Sequence, residues 1–266
     1  MLKLLEGSTR ASLLVALTQR EVQGRYKGSW LGLGWSLLGP MLMLLLYTLV
    51  FTEVMRARWP GISEQGGRTG FALMVYCGML VHGWMAEILV LSPQALIRQS
   101  NYVKKVVFPL PLLPVVGVLA AGVNALIGLS LLLVLNAILG SGLHWSAIAL
   151  PLVWLPLLLL GLGLAWLLTA LGTYLRDIAQ LTGFAATALL FASPVLYPAS
   201  AVPAFLRPWM HLNPLTWLIE STRAVLLLGQ WPDLGQWLLM LSLSTLLAFF
   251  GFWFFRRVQK GFADVL

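Results

Sequence analysis

Six predominantly apolar stretches, each about as long as a bilayer crossing requires, constrain this chain more than any other feature. They run from about Gly34 to Val54, Gly70 to Leu91, Leu110 to Leu139, Ala147 to Leu171, Leu181 to Leu196 and Trp237 to Phe255. A hydrocarbon core about 30 Å thick takes roughly 20 apolar residues of helix. Of 266 residues, 59% are hydrophobic and only 10% are charged, against roughly 25% charged in a soluble domain. One soluble core cannot hide that much apolar surface, and a disordered chain would be far more polar. The alternating pattern of a membrane barrel is absent, so the spans are helical. The sequence therefore predicts an all-α polytopic membrane protein with six transmembrane helices. A cytoplasmic amino-terminal segment, 1–33, precedes a single transmembrane domain, 34–266.

Charge supplies the orientation. Seventeen Lys and Arg against nine Asp and Glu leave a formal +8, which on a membrane protein reports loop placement rather than nucleic-acid binding. With the amino terminus inside, the inner segments hold twelve basic residues, from Lys3, Arg10 and Arg20 through Arg98, Lys104 and Lys105 to Arg256, Arg257 and Lys260. The outer segments hold five: Arg56, Arg58, Arg68, Arg207 and Arg223. This bias predicts a multi-pass protein of the plasma membrane with both termini in the cytoplasm. Leu215–Leu228, between the fifth and last spans, is 14 residues long and carries Glu220 and Arg223, too short and too charged to cross. A seventh span would also move the Arg256-Arg257-Lys260 cluster outside. The 199–232 region is thus expected to form outer re-entrant helices.

Smaller features bound the chemistry. No cleavable signal peptide is evident, and Cys77 stands alone in an apolar run, so no disulfide framework exists. There is no P-loop, no metal-ligand spacing among His82, His144 and His211, and no nucleophile elbow. An enzyme working alone is not indicated. Arg10–Tyr26 reads as a helix lying on the cytoplasmic surface, or as an ordinary basic tail. Gly24, Gly28 and Gly32 recur every four residues, which permits either close helix approach or a bend where the chain enters the membrane. The third span is 30 residues, about 45 Å of helix, so it must tilt, kink or protrude, and Pro111 and Pro114 make a kink plausible.

Two aromatic faces stand out. Ser36, Pro40, Tyr47 and Phe51 share one face of the first span, and Phe184, Thr187 and Phe191 one face of the fifth. Such faces line a polar–aromatic path or simply pack between helices. Trp59, Trp145, Trp209, Trp231, Trp237 and Trp253 read as interface anchors. Glu87, inside the second span, needs protein or water around it, as a structural partner or protonated. Glu220 and Arg223 sit three apart and can pair, as a gate latch or a local stabiliser. Arg25 and Lys27 suit anionic lipid head groups.

Four blocks carry a family resemblance. Arg25-Tyr26-Lys27-Gly28-Ser29-Trp30-Leu31-Gly32, followed by Trp35 and Pro40, resembles the amino-terminal signature of type-2 ABC exporter permeases. The group it most resembles exports O-antigen, other lipid-linked polysaccharides and teichoic acids. Lys104–Pro109 with Leu113-Pro114 resembles the family's cytoplasmic loop and third-helix start. Ser193–Pro198 resembles the end of its fifth helix, and Leu212–Leu215 with Glu220 and Arg223 its outer segment. Trp30 departs from the small aliphatic residue expected there.

The resemblance implies a half-transporter. Two copies would form the channel above two separate ABC ATPase subunits that carry ATP and Mg, with no cofactor in this chain. Membrane lipids and a lipid-linked glycan are the other partners. ATPase-coupling candidates are Arg20, Arg25, Lys27, Arg98, Asn101, Tyr102, Lys104, Lys105, Arg176 and Asp177. Translocation-path candidates are Ser36, Tyr47, Phe51, Phe184, Thr187, Phe191 and Tyr197, where sugar hydroxyls would avoid bare hydrocarbon. Outer-gate candidates are Asn213, Glu220 and Arg223. An exporter of drugs or lipids with the same fold is the alternative. An ion-coupled secondary transporter fits less well, because buried charge is sparse and no internal repeat is visible.

Overall fold

The computed structural model describes residues 7–54, 59, 67–100, 108–140 and 142–266. It is helical, with no strand among the described residues. Helix α1 is Gly7–Tyr26, a 20-residue helix over the stretch expected to lie at the surface. A 3-10 turn at Gly32–Gly34 leads into α2, Trp35–Thr48, which continues as a π turn through Val54. Then come α3 (Gly67–Leu91), α4 (Leu112–Leu139), α5 (Leu150–Tyr174) and α6 (Ile178–Ala192). Short α7 (Arg207–Leu212) and α8 (Pro214–Leu227) precede α9 (Leu234–Val258) and a terminal turn, α10 (Phe262–Val265).

Four segments are long and apolar enough to cross a membrane: Gly67–Gln94, Leu112–Leu139, Trp145–Tyr174 and Leu234–Val265. Trp35–Phe51 and Ile178–Ala192 are shorter apolar helices. The prolines expected to kink the third span start it instead. Pro111 is the N-cap of α4 and Pro114 lies in its first turn, where a missing N–H goes unnoticed. The glycine spacing at 24, 28 and 32 resolves as a bend. Gly28 and Gly32 have φ of 85° and 52°, and a Cβ at any of the three would meet nothing within 4 Å.

Helix α3 is the central element: thirteen of its residues are buried, and it packs against α2, α4, α5, α6 and α8. The closest helix pair is α5 with α9. A Cβ on Gly163 would lie 2.7 Å from the Leu247 backbone, and one on Gly251 would strike the Gly163 carbonyl. Small residues that let backbones touch are the usual means of helix association in lipid.

Hydrogen bonds define two ends. At one end, Thr169 Oγ1 donates to the Ser92 carbonyl (2.8 Å), Trp166 Nε1 to Pro111 (2.9 Å) and Tyr174 Oη to Val258 (2.8 Å). A small second core of Leu96, Leu113, Ala170, Phe255 and Phe262 lies there. The ends of α1 and α9, with Arg25, Arg256 and Arg257, make this the basic end. At the opposite end, Ser146 Oγ donates to the Val225 carbonyl (2.7 Å), and buried Asn136 bonds Gly142 and Leu226. Helix α8 therefore sits at the end where α4 connects to α5. Ten of its fourteen residues are buried, and at about 1.5 Å per residue it is near 21 Å long, short of a bilayer core.

Candidate path and coupling sites

The basic end holds a cleft of about 680 Å³ between α1 and the residues flanking the 101–107 segment. Arg20, Arg25, Lys27 and Arg98 line it, with Glu21 as the acidic group among its lining residues. Arg98 is steadied by Gln94 Oε1, which accepts from its Nε (3.1 Å) and Nη2 (2.9 Å). Arg176 and Asp177 are exposed at the α5–α6 turn. Asn101, Tyr102, Lys104 and Lys105 lie outside the described residues.

Beside the cleft is an open-sided cavity of about 360 Å³ lined by α2, α3 and α4. Ser36, Pro40 and Met43 of α2 line it at the i, i+4, i+7 spacing of one helix face, opposite Trp84 and Glu87 of α3 and Asn124 of α4. Glu87 is paired: Arg25 Nη1 donates to its Oε1. Asn124 Nδ2 approaches both carboxylate oxygens, at 3.4 and 3.3 Å. Helix α1 thus sends a guanidinium to a carboxylate of the central helix. Both residues drew attention in the sequence, but a partnership 62 positions apart left no sequence signal.

The two aromatic faces have different surroundings. Tyr47 and Phe51 turn inward. Their ring centroids are 6.5 Å apart, and Phe51 stacks on Phe71 of α3 at 6.3 Å. Phe184 and Phe191 instead stand 75% and 63% exposed, with Leu181 and Thr187 on the same open side of α6. Only Thr182 and Ala186 of α6 are buried. His82 Nε2 contacts the Ala186 carbonyl at 3.0 Å and marks the stripe by which α6 leans on α3. Tyr197 hydrogen-bonds the Phe191 carbonyl.

At the opposite end, Arg223 is a clasp. Its Nε donates to the Met74 carbonyl (3.0 Å), Nη2 to Val195 (2.9 Å) and Nη1 to Glu220 (2.9 Å). The guanidinium also lies 4.5 Å from the Trp59 ring centroid. Its side chain is 1% exposed, whereas that of Glu220 is 42% exposed. The expected Glu220–Arg223 pair is thus one arm of a larger knot joining α3, α8 and the chain after α6. Asn213 ties the same parts: Oδ1 accepts from Leu215 N (3.0 Å) as the α8 cap, and Nδ2 donates to Ser193 Oγ (2.8 Å). Gly78 makes room, since a Cβ there would lie 2.6 Å from Arg223 Nη2. Trp59, expected as an interface anchor, is instead buried against Phe71 and Arg223. Trp145, Trp209, Trp231 and Trp253 are exposed.

An all-helical bundle with several lipid-length apolar helices and a basic cleft at one end defines a multi-pass membrane protein. Residues 12–227 match the ABC-2 type transporter family, and the chain belongs to it. It is 30% identical over 254 residues, 95% of this chain and 94% of the relative, to an O-antigen export system permease protein, RfbA, of Myxococcus xanthus. A protein of the same name from Klebsiella pneumoniae is 24% identical over 256 residues, covering 96% of this chain and 95% of that one. A second from Klebsiella pneumoniae is 23% identical over 257 residues, with the same coverage.

Proposed function

We propose that this chain is the membrane-spanning subunit of an ATP-driven exporter that moves lipid-linked polysaccharide of O-antigen type out of the cytoplasm. The observation that carries this reading is the near end-to-end match to permeases named for O-antigen export. Being a permease, it leaves hydrolysis to a separate ATPase subunit that holds ATP and Mg.

The working unit in this reading contains two copies of the chain over two ATPases. Support comes from α6, whose face of Leu181, Phe184, Thr187 and Phe191 is exposed in the protomer. Facing a second copy, these rings would give a sugar chain aromatic surface to slide along. The basic end is cytoplasmic by the positive-inside rule, which places both termini inside. Helix α2 with its π turn is 20 residues, about 30 Å, and crosses as the first of six spans; α6 and the residues after it form the fifth. Helices α7 and α8 are then the outer re-entrant element. Arg98, Arg176 and Asp177 lie at the end that meets the ATPases, and Lys104 and Lys105 are candidates for the same coupling role. Arg20, Arg25 and Lys27 face the phosphate-bearing head group of an arriving lipid.

The test is to purify the chain with a candidate ATPase partner and measure ATP turnover with a defined lipid-linked glycan. Stimulated turnover is the expected result. Failure to associate with an ATPase would sink the reading, and stimulation by drugs or simple lipids alone would move it to the other branch of the family. Charge reversal of both Lys104 and Lys105 to Glu should abolish that stimulation; full turnover would remove the loop from the coupling path.

A further inference from the structure

Arg25 stands in the wall between two cavities. It lines the basic cleft, while its acceptor, Glu87, lines the intramembrane cavity. We propose that the Arg25–Glu87 pair is an exchange switch. A phosphate head group in the cleft draws Arg25 away from Glu87, Asn124 takes over the freed carboxylate, and α1 is released from α3. This rests on the reading of the cleft as a phosphate head-group site, and it adds how occupancy is felt by the helices.

Three observations carry it. The first is that Arg25 is not saturated. Its Nη1 is on Glu87, but Nη2 is buried and has no hydrogen-bond partner among the described residues. A phosphate oxygen would satisfy that donor, and a phosphate matches the guanidinium fork with more acceptor oxygens and more charge than one carboxylate. Arg20, Lys27 and Arg98 on the same cleft favour the anion further.

The second is that Glu87 has a successor partner in place. Asn124 Nδ2 lies at 3.3 and 3.4 Å from its two oxygens, long for hydrogen bonds, and a small shift shortens either. Losing Arg25 therefore does not strand a bare carboxylate in the membrane, the outcome that normally makes breaking such a pair expensive. The third concerns freedom of movement. The chain leaving α1 passes through Gly28 and Gly32 at positive φ, where added side chains would touch nothing. Helix α1 packs against α4, and Arg25 is the side chain that ties its end to Glu87 of α3.

The experiment uses the full chain in nanodiscs of phosphatidylcholine, with geranylgeranyl pyrophosphate as probe. Inorganic pyrophosphate and nanodiscs containing phosphatidylglycerol form two further arms. Under exchange, Glu87→Gln removes the internal competitor and tightens probe binding by about 10-fold. Arg25→Ala weakens it by a similar factor, and the double variant behaves as Arg25→Ala alone. A purely structural pair predicts the opposite sign for Glu87→Gln, so unchanged or weaker binding in that variant overturns the switch while leaving the head-group site standing. Absence of probe binding to the unaltered chain overturns both. Binding of geranylgeranyl pyrophosphate alone assigns the site to a lipid-linked pyrophosphate, and equal binding in all arms assigns it to phosphate itself; either supports the switch when Glu87→Gln tightens.

A second measurement needs no change at the pair. Spin labels at Gln19→Cys on α1 and Val90→Cys on α3, both exposed positions, should move apart when the probe saturates the cleft. An unchanged distance distribution at saturation overturns the proposal.

Discussion

The two arginines that reach the central helix differ in how completely they are engaged. Arg223 is 1% exposed and directs its donors at two backbone carbonyls and a carboxylate, with an aromatic ring against its face. Arg25 is 19% exposed, makes one ion pair, and keeps a nitrogen without an acceptor among the described residues. A guanidinium bound this way has nowhere better to go, because its own buried donors would lose their acceptors in a dry site. One bound to a half-shielded carboxylate can be traded. The same side chain therefore acts as a rivet at one end of the bundle and as a detachable link at the other.

Substitutions should expose the contrast in descending order of effect. Arg223→Ala strips the donor from the Val195 carbonyl, the second bond from the helical Met74 carbonyl and the partner from Glu220, and should cost about 3 kcal/mol. Thermal unfolding in detergent and protein level in the membrane would both fall. Arg223→Lys should recover little, since one ammonium cannot match the fork. Gly78→Ala pushes a methyl into the same knot and should cost about 1–3 kcal/mol. Combined with Arg223→Ala its effect should shrink, and a double-mutant cycle would show strong non-additivity. Simple additivity would mean that Gly78 serves another contact.

Asn213→Ala loses the α8 cap and the Ser193 tie, a loss of about 1 kcal/mol by the same unfolding measurement. Arg25→Ala should cost no more than about 1 kcal/mol, because Asn124 still attends Glu87. A loss as large as that of Arg223→Ala would erase the distinction between rivet and link. Phe184→Ala and Phe191→Ala should fall within about 0.5 kcal/mol of the parent, since both rings are exposed in the protomer. Their effect belongs in glycan-stimulated ATP turnover with the ATPase present; normal turnover for both would demote the α6 face to lipid contact.

The aromatic faces show what the sequence could and could not convey. Helical periodicity correctly grouped Ser36 with Pro40, and Phe184 with Thr187 and Phe191, because backbone geometry alone decides which residues share a face. It says nothing about which neighbour meets that face. Tyr47 and Phe51 therefore found Phe71, while Phe184 and Phe191 found open surface. The short, charged α8 stood apart from the long apolar helices for the same legible reason, its length. Its knot did not: Arg223 meets Met74, Val195 and Trp59 through chain folding, 149, 28 and 164 positions away. Apolarity placed Trp59 at an interface, yet a ring that can cover a buried cation is worth more inside.

The glycine contact between α5 and α9 has a consequence for biogenesis. Because synthesis runs from the amino terminus, α5 is in the bilayer before its closest companion has been made. The notch around Gly163 must then face lipid, shallow and poorly filled, until Leu234–Val258 arrives. Seating Gly251 against the Gly163 carbonyl is therefore the closing event of assembly, and a chain stalled before it keeps an open seam for quality control to find.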